Sequence, residues 1–235
     1  MLTIMKDALA QNIRQLYGQI SDACEKYDRD ADDITIVAVT KTHSVETIKM
    51  AVAAGLHNIG ESRVQEAEEK IRNVGQIARF HLIGHLQSNK VKKAVGLFDV
   101  IQSVDTLKLA EEIDRQAAQI DSIIECLLEV NISGESQKFG VAPTDALDLI
   151  ERINKLQRID LTGLMTIGPM SGDEETVRAA FANCGKIFKL GHRIVGDGFD
   201  TLSMGMSGDF PLAIAEGATM IRVGSGLFGR RKASV

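Results

Sequence analysis

Apolar residues recur at helical spacing over residues 3–27, where Ile4, Ala8, Ile13, Leu16 and Ile20 form one stripe. The pattern then changes. Residues 34–40, Ile-Thr-Ile-Val-Ala-Val-Thr, make a short β-branched run that ends at Lys41. A run apolar on both faces is what a buried parallel strand requires. Ser44 can cap a following helix through Ala54, and Gly55 stops it. The alternation continues, with predicted strands at 57–59, 79–83, 98–102, 123–130, 159–164, 200–203 and 219–223. The predicted helices are 63–76, 88–96, 105–118, 143–156, 173–190 and 209–216. Eight strands, each separated from the next by a helix, predict a parallel sheet with helical crossovers. An open doubly wound sheet also satisfies the pattern. Eight units in about 200 residues favour a TIM-type (β/α)8 barrel with an extra N-terminal helix.

No Pro/Gly/Ser-rich linker interrupts the chain, so 1–235 reads as a single domain, with 1–30 a helix packed on the barrel. The net charge of −5 argues against a general nucleic-acid binder, which needs a basic surface. Cys24, Cys126 and Cys184 are odd in number and form no CxxC pair. That disfavours a disulfide framework or a zinc site and fits a reducing cytoplasm. Lys6, Asp7 and Arg14 interrupt the first helix, so it does not read as a signal peptide. No stretch approaches the roughly 20 apolar residues that span a membrane.

In a barrel, chemistry collects at the C-terminal ends of the strands. The candidate positions are therefore those that follow each apolar run. Ser207-Gly208 and Gly224-Ser225-Gly226 follow strands seven and eight, where barrels often bind phosphate. Glycines let backbone N–H groups approach an anion, and the serines add hydroxyl donors. The same segments also serve as ordinary turns. Lys41 is a solvated loop lysine unless it is partly desolvated, in which case its amine becomes nucleophilic toward an aldehyde. Arg222 lies inside the apolar run Met-Ile-Arg-Val-Gly and needs a partner, either a ligand or a carboxylate such as Glu216. His81 and His85 fall on a strand and its exit loop. A hydrogen-bonded structural role is expected for His85 rather than a metal site.

Five ordered segments carry a resemblance. They are Val-Ala-Val-Thr-Lys (37–41), Phe-His-Leu-Ile-Gly-His-Leu-Gln-Ser-Asn-Lys (80–90), Leu-Thr-Gly-Leu-Met-Thr-Ile-Gly (161–168), Leu-Ser-Met-Gly-Met-Ser-Gly-Asp-Phe (202–210) and Ile-Arg-Val-Gly-Ser-Gly-Leu-Phe-Gly-Arg-Arg (221–231). In this order they resemble the YggS/PROSC family of pyridoxal 5′-phosphate (PLP) homeostasis proteins, which have the alanine-racemase-like barrel of fold-type III PLP proteins. The resemblance implies PLP as cofactor, held as a Schiff base on Lys41. It implies that Ser207 and Gly208, with Gly224 and Ser225, bind the phosphate and that Arg222 faces the pyridine nitrogen. Asn58, Ile83 and Met165 are implied around the ring. Ser62 replaces the family's usual asparagine after strand two and is set aside. Gln137-Lys138-Phe139-Gly140 is similar to a further family motif, in which Lys138 is implied in delivering or accepting PLP.

The family role is intracellular PLP homeostasis: holding the cofactor and exchanging it with PLP-dependent apo-enzymes, without turnover. A small amino-acid racemase or lyase is a second reading. A two-base racemase needs an acid/base opposite the lysine. Tyr17 and Tyr27, the two tyrosines, lie in the leading helix, and the chain stops at Val235 after the eighth unit, leaving no second domain to supply that base. His85 or a cysteine would have to serve. A PLP-modulated regulatory interaction protein is a third reading. The absence of a further domain also points to a monomer.

Overall fold

The computed structural model of the protein describes residues 2–170 and 172–229. Helix α1 (Leu2–Lys26) buries Leu9, Ile13, Leu16 and Ile20. Ala8 is exposed, a correction to the expected stripe. It lies five residues from Ile13, off the helical face, whereas Leu9 lies four away and in phase. The Ile4 side chain lies outside the described residues. Burying each of these large side chains contributes roughly 1.5–3 kcal/mol.

Eight strands follow: β1 (Thr35–Val39), β2 (Asn58–Glu61), β3 (Arg79–Leu82), β4 (Val100–Val104), β5 (Ile124–Glu129), β6 (Ile159–Met165), β7 (Thr201–Met206) and β8 (Met220–Val223). All pair in parallel in sequence order, and β1 pairs with β8 through Thr35–Met220 and Val37–Arg222, closing the barrel. The open doubly wound alternative is thereby removed. The crossovers are α2 (Val45–Ala53), α3 (Val64–Val74), α4 (Val91–Val95), α5 (Leu107–Gln119), α6 (Ala146–Ile153), α7 (Glu174–Val195) and α8 (Phe210–Ala215), with a short α9 (Ser225–Phe228) after β8.

Several boundaries differ from the sequence pattern. The expected helix 88–96 is a 3-10 turn (Ser88–Lys90) followed by α4. Helix α7 continues past Leu190 because Gly191 is a packing residue. A Cβ there would come within 2.8 Å of Phe199. Strand β7 runs on to Met206, and α9 was not anticipated.

Strand residues alternate between two cores. Ile36 and Ala38 join the layer between sheet and helices, while Val37 and Val39 face Gly60 across the lumen wall. Strands β6 and β7 approach so closely at Gly163 that a Cβ would lie 1.7 Å from the Thr201 carbonyl oxygen. Helix α1 packs against α8 and α9. Asn12 Nδ2 donates to the Leu227 carbonyl (2.8 Å), and Arg29 donates to those of Ile214 (3.0 Å) and Ala218 (3.1 Å). The leading helix and the residues just after it thus brace α8, the turn before β8, and α9 from outside. No helix among the described residues is long and apolar enough to cross a membrane.

Candidate functional site

A cavity of about 350 Å³ opens at the C-terminal mouth. Its size falls within the usual range for small-ligand sites. Lys41, Ile83, Ser207, Gly208, Arg222, Gly224 and Ser225 all line it, although they come from four strand ends and from sequence positions far apart. Ser62, set aside on sequence grounds, lines it too, as do His43 and Ile167. Asn58 and Met165 are not among the lining residues. Asn58 starts β2 and is bonded one layer deeper, and Met165 is fully buried at the end of β6.

The two loops expected to bind an anion are joined. The Gly226 N–H donates to Ser207 Oγ (3.2 Å), so the hydroxyl proton of Ser207 is not used in that bond. A Cβ on Gly208 would meet nothing within 4 Å, which marks open space at the loop. Gly205, inside β7 and two positions before Ser207, has a φ of +93°, a conformation that side-chain-bearing residues avoid.

Arg222 is buried, and among the described residues no carboxylate is hydrogen-bonded to it. Its Nη1 donates to the Ser203 carbonyl (2.9 Å) and hydroxyl (2.7 Å), and its Nη2 to the Thr166 carbonyl (2.8 Å). Its Nε takes part in none of these bonds. Glu216, a partner considered from sequence, instead pairs with Arg178 (2.5 Å). Burial lowers the Arg222 pKa to about 10, against the pull of Glu129, so the guanidinium stays charged at neutral pH.

From Arg222 a hydrogen-bond chain crosses the lumen. Ser203 Oγ donates to Gln102 Oε1 (2.7 Å), and Gln102 Nε2 bonds His81 Nδ1 (3.0 Å) and Met220 Sδ (3.2 Å). His81 Nε2 meets Asn58 Oδ1 (3.0 Å). A guanidinium only donates, so each step is directed, and His81 must be neutral with its proton on Nε2. Burial, then the charge of Arg79, depresses its pKa to about 3, in agreement with the neutral form. Sequence reading missed Gln102 and Ser203 as members of this chain. The visible signal was polar residues inside apolar strand runs, which have to be satisfied when buried.

Beyond Arg222 lies Glu129, the register partner of Met165. It is 5% exposed, and its Oε2 has no hydrogen-bond partner among the described residues. Burial, helped by Asp105 and opposed by Arg222, raises its pKa to about 7. His85 Nδ1 lies 3.6 Å from Asp105, and its ring stacks on Phe139 at 3.7 Å. His85 is exposed, and 3.6 Å is longer than a hydrogen bond, so these contacts are a ring stack and a long approach to a carboxylate rather than the hydrogen bond expected from sequence. Among the described residues no group of three His, Cys, Asp or Glu is placed to hold a metal ion.

The family model of the alanine racemase N-terminal domain matches residues 4–232. The pyridoxal phosphate homeostasis protein of Pasteurella multocida is 37% identical over 227 residues, spanning 95% of this chain and 97% of that one. This chain belongs to the pyridoxal phosphate homeostasis proteins. The Pseudomonas aeruginosa member is also 37% identical, over 224 residues, 95% of this chain and 96% of its own. Among solved members, PipY of Synechococcus elongatus, determined with PLP bound, superposes with a TM-score of 0.80 at 35% identity, covering 94% of this chain and 100% of PipY.

Proposed function

We propose that this chain, as one unit from 1 to 235, binds PLP at the barrel mouth and exchanges it in PLP homeostasis rather than turning over a substrate. The observation that carries this reading is the convergence of Lys41, Arg222 and the two Gly/Ser loops on one cavity. When bound, PLP supplies an aldehyde that condenses reversibly with a primary amine. The donor set fits that group. Lys41 provides the amine. Ser207, Gly208, Gly224 and Ser225 provide a joined, open cradle for the phosphate. Arg222 keeps Nε outside its own hydrogen bonds at the wall of the cavity. Ile83, Met165 and Asn58 complete the surroundings of the ring in this reading.

Arg222 weakens the ring as an electron sink in this reading but does not by itself separate holding from turnover, since racemases use the same pairing. A charged guanidinium next to a pyridine nitrogen opposes protonation of that nitrogen, and an unprotonated ring is the weaker electron sink. Lys41 is only half-buried, which allows water and incoming amines to reach it. We place the protein in the reducing cytoplasm as a monomer that supplies PLP-dependent apo-enzymes.

The test is spectroscopic. Adding PLP to the purified protein is expected to produce a visible absorbance band. Borohydride then fixes one pyridoxyl label on Lys41, found by peptide mapping. A colourless protein, or a label on another lysine, overturns the reading. Lys41→Ala is expected to lose the band and to retain weaker, phosphate-driven binding.

A further inference from the structure

Lys41 is flanked by an ion cluster formed between α3 and the end of β2. Lys70 of α3 is 6% exposed and Glu61, the last residue of β2, is fully buried. Lys70 Nζ donates to three acceptors: the Thr40 carbonyl (2.8 Å), Glu61 Oε1 (2.8 Å) and Glu66 Oε1 (2.6 Å). An ammonium has three protons, so its capacity is filled. Thr40 Oγ1 donates to the same Glu61 oxygen (2.6 Å), and the Thr42 N–H donates to Glu66 Oε1 (2.5 Å).

These bonds grip the backbone on both sides of one residue. Thr40 is held through its carbonyl and hydroxyl, and Thr42 through its N–H. Thr42 has φ +67°, a left-handed conformation that a β-branched residue adopts only under outside constraint. Between them stands Lys41, which lines the cavity. A salt bridge serving only to join α3 to β2 would need none of the contacts to Thr40 and Thr42. Lys70 itself, with every proton committed, is a poor competitor for an aldehyde.

We infer that Lys70, with Glu61 and Glu66, is a positioning device for Lys41, holding the strained 40–42 turn so that the amine meets an aldehyde seated by the phosphate loops. This rests on Lys41 being the PLP lysine. The device acts on one step: formation of the C–N bond between Lys41 and the aldehyde, with release of one water. It leaves the phosphate cradle on the β7 and β8 side untouched.

Two ligands separate the steps. PLP uses both cradle and amine, and pyridoxine 5′-phosphate, an alcohol in place of the aldehyde, uses the cradle alone. Glu66 is partly exposed, so Glu66→Ala is expected to fold. It should lower PLP capture, read as borohydride-stable label at equilibrium, by about tenfold, since small misplacements of a reacting group are costly. Pyridoxine 5′-phosphate affinity by calorimetry should stay within about twofold. Glu66→Gln keeps an acceptor for the Thr42 N–H and should restore most of the capture. Lys70→Met should behave like Glu66→Ala if it folds. Unchanged PLP capture in Glu66→Ala, an equal loss for both ligands, or no restoration by Glu66→Gln overturns the inference. If the unsubstituted protein binds neither ligand, the PLP reading falls first and takes this inference with it.

Discussion

Arg222 is bonded to Ser203 twice, through the carbonyl at 2.9 Å and the hydroxyl at 2.7 Å. The second bond directs the Ser203 proton onto Gln102, so one hydroxyl links the charged end of the lumen to its neutral middle. Ser203→Ala removes both hydroxyl bonds and leaves Gln102 Oε1 buried without that donor. Unsatisfied buried groups cost about 1–3 kcal/mol each. The variant is expected to lose about 2 kcal/mol in urea unfolding, with an unchanged m-value. Arg222 keeps the Ser203 and Thr166 carbonyls, so PLP affinity should change little. A stability equal to that of the parent would contradict the chain.

Glu129 makes stability depend on pH in an unusual direction. Its carboxyl rises from 4.5 to about 7 on burial. The folded protein therefore holds this proton more tightly than the unfolded chain does. The resulting stability is present below pH 4.5 and is lost as pH rises through about 7, by about 3 kcal/mol in total. Glu129→Gln in the ligand-free protein should remove that decline, which denaturant titrations across the window would detect. An unchanged profile would rule out Glu129 as its source.

His81 works in the opposite sense. Its folded pKa, about 3, lies below the ordinary 6.5. Its contribution is present above 6.5 and declines as pH falls toward 3, because the unfolded chain accepts a proton that the folded one refuses. Between 4.5 and 6.5 the two groups offset each other. The Glu129→Gln variant should consequently show a steeper acid loss than the parent. Nitrogen NMR should find His81 neutral and protonated at Nε2 between about pH 5 and 8. Titration near 6.5, or the other tautomer, would refute the assigned direction.

Gly205 connects packing to ligand affinity. A Cβ there would lie 2.6 Å from that of Ala213 and 2.9 Å from Phe210 Cα, on a backbone with φ +93°. Gly205→Ala is expected to cost about 2 kcal/mol and to displace the Ser207-Gly208 turn. Thermal unfolding and pyridoxine 5′-phosphate affinity should fall together. A variant that loses neither would show that the turn is set elsewhere.

The barrel was legible because β-branched runs such as 34–40 alternate with helical stretches, and each strand ends at a change from apolar to polar residues. Most of the mouth was legible for the same reason. Lys41, Ser207, Gly208, Arg222, Gly224 and Ser225 sit at or just past strand ends. What escaped depends on contacts between distant strands. Gly191 reads as a helix stop until Phe199 is seen against it. Gln102 and Ser203 read as the last residues of strands 98–102 and 200–203, and Glu129 as one polar residue in an apolar run, since periodicity does not say which of them meet across a lumen. The clamp of Lys70 on Thr40 joins residues 30 apart through a side chain that the helical pattern assigns only to one face of α3.

The pairing of β1 with β8 has a kinetic consequence. It joins residues about as far apart in sequence as the fold allows, as does the bond from Asn12 to Leu227, 215 positions away. Such contacts close a large loop and tend to form late in folding. Lys41 stands on one bank of that seam, and Arg222 and Ser225 on the other. A small molecule spanning them is therefore a staple across the last join to close. It should slow opening of the seam, so protease resistance of the region around β1 and β8 would report occupancy even where colour cannot.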